Sequence, residues 1–247
     1  MNGYSRGMFG MPPIVKNLIF LNVIMLLATY AAGSVFEIDL NRLLGIYFVK
    51  SDQFRPFQII THMFMHGGFT HIFFNMFALY MFGQVLEQVW GPKRFLVYYL
   101  VTGLGAMVIH EAVMGFQYLR IMNVISPLDL QEVLDNGGTY LMQGKGYVDP
   151  VMKELQSILY TPTVGASGAV FGVLLAFGVL FPNTQLMLLF PPIPIRAKYF
   201  VMIYGGIELY LAIKQPGSQV AHAAHLGGML FGYILIRIWR NTSNTLY

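Results

Sequence analysis

Six apolar runs, each long enough to cross a bilayer as a helix, govern what this chain can become. An α-helix rises 1.5 Å per residue, so about 20 apolar residues bridge roughly 30 Å of hydrocarbon. The runs cover about residues 17–36, 70–90, 95–114, 164–181, 199–213 and 221–239. The first, NLIFLNVIMLLATYAAGSVF, is long for a cleavable signal, and apolar sequence continues after it. Composition agrees: 56% of the 247 residues are hydrophobic and 11% charged, against about 25% charged in soluble domains. A water-soluble enzyme, a disordered chain and a nucleic-acid partner are thereby disfavoured. Lys and Arg number 15 against 11 Asp and Glu, a margin that suits anionic lipid and topology. With no cysteine present, disulfides, zinc–thiolate sites and cysteine nucleophiles drop out. The expectation is an all-α, multi-pass membrane protein of one domain: a short cytoplasmic segment 1–16, a bundle over 17–239, and a short tail 240–247.

The positive-inside rule orients the bundle. With a cytoplasmic N-terminus, Arg6, Lys16, Lys93, Arg94, Arg196, Lys198, Arg237 and Arg240 fall inside. Nearly as many basic residues fall outside, but over segments roughly twice as long and richer in acids. Both termini are therefore expected in the cytoplasm. The outside stretch 37–69 is rich in aromatics and is expected to lie in the interface. A second outside stretch, the insertion 115–163 between spans three and four, holds two amphipathic helix candidates. Ser126-Pro127 and Asp149-Pro150 supply a cap followed by proline at the first helical position. Leu130, Val133 and Leu134 share a face of one, and Val151, Leu155, Ile158 and Leu159 a face of the other. They rest on lipid or on the bundle, or dock substrate. Pro191-Pro192-Ile193-Pro194 reads as a stiff inner turn, and Pro216-Gly217 as a turn in the outer connection 214–220.

Polar groups in a membrane helix are costly, so their positions carry information. Ser167 opens the fourth span within Gly165-Ala166-Ser167-Gly168, a quartet that close packing alone would explain. His222 and His225 open the sixth and share a helical face. A metal pair is conceivable there, but no further His, Asp or Glu completes a ligand set by spacing. Glu208 falls about mid-span in the fifth run. In the second run, His71 and Asn75 are four apart and lie on one face. Spans two, four and six enter from the same side, which puts His71, Asn75, Ser167 and His225 at one depth in the outer third of the bilayer. A nucleophile, a base and two oxyanion donors need that shared depth; packing does not. Gly168 and Gly172 follow the serine, and Gly228 and Gly232 follow the histidine. Such small-xxx-small pairs let the two helices approach closely enough for a Ser–His hydrogen bond.

These residues resemble the rhomboid family of intramembrane serine proteases over about 17–239. The resemblance rests on Gly165-Ala166-Ser167-Gly168, on Ala224-His225-Leu226-Gly227-Gly228, on His71 with Asn75, and on the loop series Phe54-Arg55-Pro56-Phe57, His62, His66 and His71. It implies a six-helix rhomboid-like bundle and a serine endopeptidase that needs no cofactor or metal. That enzyme would cut transmembrane protein substrates in or near their membrane segments. Ser167 would be the nucleophile, His225 its base and acid in a dyad, and His71, Asn75 and the Ser167 N–H the oxyanion hole. Gly165 would leave room for substrate backbone, with Gly168 and Gly228 supporting helix approach. Phe171, where the family often has tyrosine, would stack on the histidine. Val220 replaces a frequent glycine, and the insertion 115–163 exceeds the usual connection. The resemblance also implies a bacterial plasma membrane and lateral access near the fifth span.

Two other functions fit parts of the pattern. A catalytically inert relative would bind membrane clients, although both serine and histidine are present. A transporter would use His71, His110 and His225 as a proton relay, but would spread polar groups through the full depth. His62 and His66 read as serving the loop's own hydrogen bonds, and Arg55 as fixing that loop through carbonyls or lipid phosphates. His110 and Glu111 read as snorkelling to water at the outer end of span three. Trp90, Tyr98, Tyr99 and Trp239 read as interface anchors.

Overall fold

The computed structural model describes residues 10–187, 192–214 and 221–242. The readings of Arg6, Pro191, Pro216-Gly217, Val220 and the tail beyond Thr242 lie outside them.

Helix dominates. α1 (Pro13–Phe36) is followed in the first loop by α2 (Leu40–Leu44), α3 (Gln58–Thr61) and a 3₁₀ turn at His62–Phe64. α4 (Phe69–Ala78) runs through a π-type turn at Leu79–Gly83 into α5 (Gln84–Trp90), making one rod. α6 (Pro92–Met122) is the longest helix described; α7 (Pro127–Met142) and α8 (Pro150–Tyr160) follow, then α9 (Ser167–Leu180). Two three-residue strands, β1 (Gln185–Met187) and β2 (Pro194–Arg196), pair antiparallel ahead of α10 (Ala197–Lys214) and α11 (His222–Thr242). Among the described residues, Pro13–Phe36, Phe69–Trp90 and Pro92–Met122 are long and apolar enough to cross a membrane, and α9 is apolar but has only 14 residues.

α9 is apolar all round, as a helix enclosed by others must be. It touches α4, α5, α6, α10 and α11. Its fit against α6 and α11 depends on absent side chains: a Cβ on Gly228 would overlap the Gly168 carbonyl, and one on Gly168 would overlap Ala106. α10 has a different character. Only Ala197, Val201 and Glu208 are buried along it, so most of its apolar surface faces outward.

Several expectations change. α6 continues past its expected end at Met114, because its outer turns are covered by the insertion rather than by lipid. Met114 and Ile121 join Val133 of α7, Leu155, Ile158 and Leu159 of α8, and Phe48 of the first loop in a second core. The insertion is therefore a small helical layer on the bundle. Its caps are the expected ones: Ser126 accepts from the Asp129 N–H, and Asp149 from the Val151 and Met152 N–H groups. Leu134, however, is exposed. The Tyr160 ring lies against Gly137 and Gly138, so the buried face of α7 runs through Val133 and Gly137.

Tyr98 and Tyr99 are fully buried rather than set at an interface, and the Tyr98 hydroxyl donates to the Gly172 carbonyl at 2.8 Å. Trp90 and Trp239 pack edge to face beside Tyr98, with the Arg94 guanidinium 4.3 Å over Trp239. Glu87 accepts from the Ile14 and Val15 N–H groups at 2.9 and 2.8 Å. A carboxylate from the second rod thus caps the first helix, where the helix dipole favours negative charge.

Candidate active site

The chain reaches Ser167 along an extended segment held from two sides. Thr163 and Ile46 exchange backbone hydrogen bonds of 2.8 and 2.9 Å, which ties the segment to the first loop. The Gly165 N–H donates to the His62 carbonyl at 2.9 Å. Gly165 has φ +134°, a conformation costly for any residue with a Cβ. A Cβ there would also press on the His71 ring, at 2.9 Å from Cε1. Ser167 is then the first residue of α9, so its backbone N–H is one of the four that lack an intrahelical acceptor.

His225, one turn into α11, meets it: Nε2 lies 2.9 Å from Ser167 Oγ. The close approach at Gly168 and Gly228, one position after the serine and three after the histidine, sets that separation. Phe171 lies flat on the imidazole, with ring centroids 4.1 Å apart and planes 7° apart. His71 and Asn75 lie on α4 beside the same space. The His71 Nδ1 accepts from the Gly67 N–H at 3.4 Å, which leaves Nε2 as the protonated nitrogen. That nitrogen borders the space next to Gly165 and the serine hydroxyl. Asn75 is buried and commits its Nδ2 to the His71 carbonyl at 2.9 Å, leaving a second amide hydrogen available. All four side chains line one cavity of about 2100 Å³, which also reaches Phe74 and Met81 on the second rod and Phe200 and Tyr204 on α10.

Glu208 departs from its expected place. Rather than lying below the polar cluster, it is at the level of the two histidines. Its Oε2 is 2.7 Å from His222 Nδ1 and 2.9 Å from His225 Nδ1. The first contact is a hydrogen bond; the second has the distance of an ion pair but an angle short of a hydrogen bond. Counting residues along each run misplaced it. α9 begins deep in the bundle, at Ser167, whereas α10 runs on to Lys214, so equal counts from their ends are not equal depths. Glu208, His222 and His225 also complete the three-ligand group that spacing alone did not reveal. Their contacts are nevertheless those of direct hydrogen-bond partners, shorter than the about 3.3 Å between ligands that share a tetrahedral zinc ion.

The other histidines divide. His62 Nδ1 lies 2.8 Å from the Gln58 carbonyl, as a loop-satisfying role requires. His66 makes no such bond: both ring nitrogens are buried without a hydrogen-bond partner, and the ring stands edge-on to His71 at 5.0 Å. Burial and the neighbouring His71 push its pKa down to about 4. His110 and Glu111 are not at a helix end. His110 Nε2 lies 2.9 Å from Thr163 Oγ1, and Glu111 accepts from the Val49 N–H, so both bind α6 to the loops that carry the site. The Arg55 guanidinium donates to the Asp52 and Phe54 carbonyls, both at 2.8 Å.

Residues 53–242 match the Rhomboid domain. The putative rhomboid protease YdcA of Bacillus subtilis is 27% identical over 178 residues, covering 72% of this chain and 64% of its own. RHOMBOID-like protein 12, mitochondrial, of Arabidopsis thaliana is 31% identical, with 74% and 47% covered. Rhomboid protease AarA of Providencia stuartii is 26% identical, with 70% and 52% covered. The chain spans roughly half to two thirds of the length of these relatives.

Proposed function

The chain belongs to the rhomboid family, a family of membrane proteins, and from that premise we propose that it is an intramembrane serine endopeptidase acting on transmembrane segments of other proteins. The observation that carries this reading is the 2.9 Å contact between His225 Nε2 and Ser167 Oγ at the start of a buried helix. A serine hydroxyl is a weak nucleophile until a base within hydrogen-bond reach accepts its proton.

Ser167 Oγ attacks the scissile carbonyl carbon while its proton passes to His225 Nε2. The carbonyl oxygen becomes an oxyanion, held by the Ser167 N–H, His71 Nε2 and an Asn75 amide hydrogen. Such donors act mainly on the transition state. Collapse breaks the C–N bond, and His225 returns the proton to the leaving amine. Water then attacks the acyl-enzyme carbonyl with His225 as base again, releasing the acid and restoring Ser167. Phe171 keeps the imidazole in plane throughout.

The cavity extends from the site to the aromatic side chains of α4 and α10. This supports lateral access between those helices for a substrate segment. A helical substrate hides its carbonyls, so cleavage favours segments whose small or helix-breaking residues let the chain unwind. In this reading the six apolar segments cross the bilayer, α9 completing its crossing through the extended stretch that leads into Ser167, the site faces outward and both ends of the bundle are cytoplasmic. A bacterial plasma membrane is the location that the resemblance implies; YdcA and AarA are bacterial, whereas other relatives are mitochondrial or chloroplastic. A proton-relay function is less well supported, because His110 Nε2 is committed to the Thr163 hydroxyl at 2.9 Å.

Labelling the purified protein with a fluorophosphonate tests the assignment. Wild type should label, and Ser167→Ala and His225→Ala should not. Labelling that persists in Ser167→Ala refutes the nucleophile.

A further inference from the structure

We propose that Glu208 is a positioning carboxylate for the base, so that this chain works with a Ser167–His225–Glu208 relay instead of a two-residue dyad. The proposal rests on the protease reading above and assigns a third member to the same site.

Glu208 stands apart already in the sequence, as the single acidic residue between Ser167 and Tyr247. An ionisable side chain in a membrane helix is costly and rare without a function. This one is buried and directs one oxygen at two imidazoles. The His225 ring then lies between two partners, with Nδ1 2.9 Å from the carboxylate and Nε2 2.9 Å from the serine hydroxyl.

The chemistry follows from what a carboxylate can do. An ionised oxygen only accepts, so each histidine nitrogen bonded to it must carry a hydrogen. For His225, whose Nδ1 is 2.9 Å from the same oxygen but off the hydrogen-bond line, the nearby carboxylate favours the Nδ1–H tautomer, which turns the Nε2 lone pair towards Ser167. When Nε2 takes the serine proton, the resulting imidazolium lies beside a counter-charge. His222 has a separate part. Its hydrogen bond of 2.7 Å fixes the carboxylate oxygen from a position one turn ahead of the base. The off-line geometry at His225 matches a resting site, since catalytic hydrogen bonds commonly tighten only when substrate is bound.

The test measures kcat and KM on a transmembrane-peptide substrate, and the rate of fluorophosphonate labelling, from pH 5 to 9. The proteins are wild type, Glu208→Gln and Glu208→Asp, with thermal unfolding in detergent as the folding control. The titratable and polar groups around His225 are His222 on its own helix, His71 from α4, His110 from α6, Ser167 from α9 and Glu208 from α10. Glu208→Gln is expected to lower kcat by about 10²–10⁴-fold, as loss of the carboxylate does in serine-protease triads. KM should change little. The labelling rate should fall in step with kcat across the pH range. Glu208→Asp should recover part of the rate, and its kcat decides the matter if the glutamine variant fails to fold. A folded Glu208→Gln with wild-type kcat and labelling rate overturns the proposal while leaving the protease intact. Wild-type activity lost to a chelator and restored by zinc overturns it in favour of a metal site. Wild type that never labels at Ser167 overturns the protease reading, and this proposal with it.

Discussion

Gly165→Ala isolates the role of the segment that leads into the serine. Two costs follow from the geometry. At φ +134° the new side chain occupies backbone space that L residues rarely adopt, a strain of about 1–3 kcal/mol. Stiffening of the unfolded chain offsets about 0.4–1 kcal/mol of this, so a net loss of about 1–2 kcal/mol is expected. The second cost falls on His71. The added Cβ would stand 2.9 Å from Cε1 and 3.0 Å from Nε2, whereas ordinary contact begins at 3.4 Å. The ring must recede by about 0.5 Å, since the backbone beside it is fixed through the His62 carbonyl. A 1 Å misplacement can cost about 10²-fold, and loss of a whole oxyanion donor about 10²–10³-fold. A fall in kcat of about 10- to 100-fold is therefore expected. KM should stay near wild type, because the displaced donor acts on the transition state. Steady-state cleavage of a transmembrane peptide in detergent, with unfolding titrated by SDS, measures both effects. A variant with kcat within about twofold of wild type and unchanged stability would refute the argument that Gly165 keeps His71 in place.

Phe171→Leu removes the stacked ring from His225 and should slow fluorophosphonate labelling by about 2- to 10-fold, the scale of an aromatic stacking energy. Glu87→Gln takes the charged cap from α1 and should cost about 1–2 kcal/mol in SDS unfolding. The labelling rate of the folded fraction should stay unchanged. Acid should weaken the fold through His66. Its folded pKa of about 4 lies below the ordinary 6.5, so between those values the folded chain binds fewer protons than the unfolded one. That contribution is whole above pH 6.5 and falls as pH drops towards 4, by at most about 1.4 kcal/mol per pH unit. Thermal unfolding across this range should show a shallower slope in His66→Phe; an identical slope would assign the acid sensitivity elsewhere.

Much of the site was legible because polar residues are scarce in the apolar runs. Ser167, His225, His71 and Asn75 stood out against an apolar background, and the structure brings the four around one cavity. What sequence could not supply was the vertical offset between helices. Ser167 begins a short helix deep in the bundle, while Glu208 lies on a helix that continues outward, so their shared level is a tertiary fact. The available signal was the acid itself, alone in the last third of the chain. α6 misled for a related reason. Gly115, Gln117 and Arg120 look like the start of a loop, yet they continue a helix whose outer turns are covered by α8, with Arg120 paired to Glu154 at 2.7 Å. Tyr98 and Tyr99 matched an interface pattern because burial depends on which neighbours face them. The cap that Glu87 gives α1 joins residues 72 and 73 apart in sequence, beyond the reach of any local motif.

Under the protease reading proposed above, the shortness of α9 has a consequence for what the protein would cut. Fourteen residues of helix measure about 21 Å, some 9 Å less than the hydrocarbon layer. If its inner end is level with the inner boundary, Ser167 waits about six residues of helix below the outer one. A client must surrender that much of its outer helical end before its peptide bond comes within reach. Selection then operates on how readily the first turn and a half of the client unravels, as well as on the residues beside the bond. Two clients with identical cleavage sequences would meet different fates if one carried a firmly capped outer end.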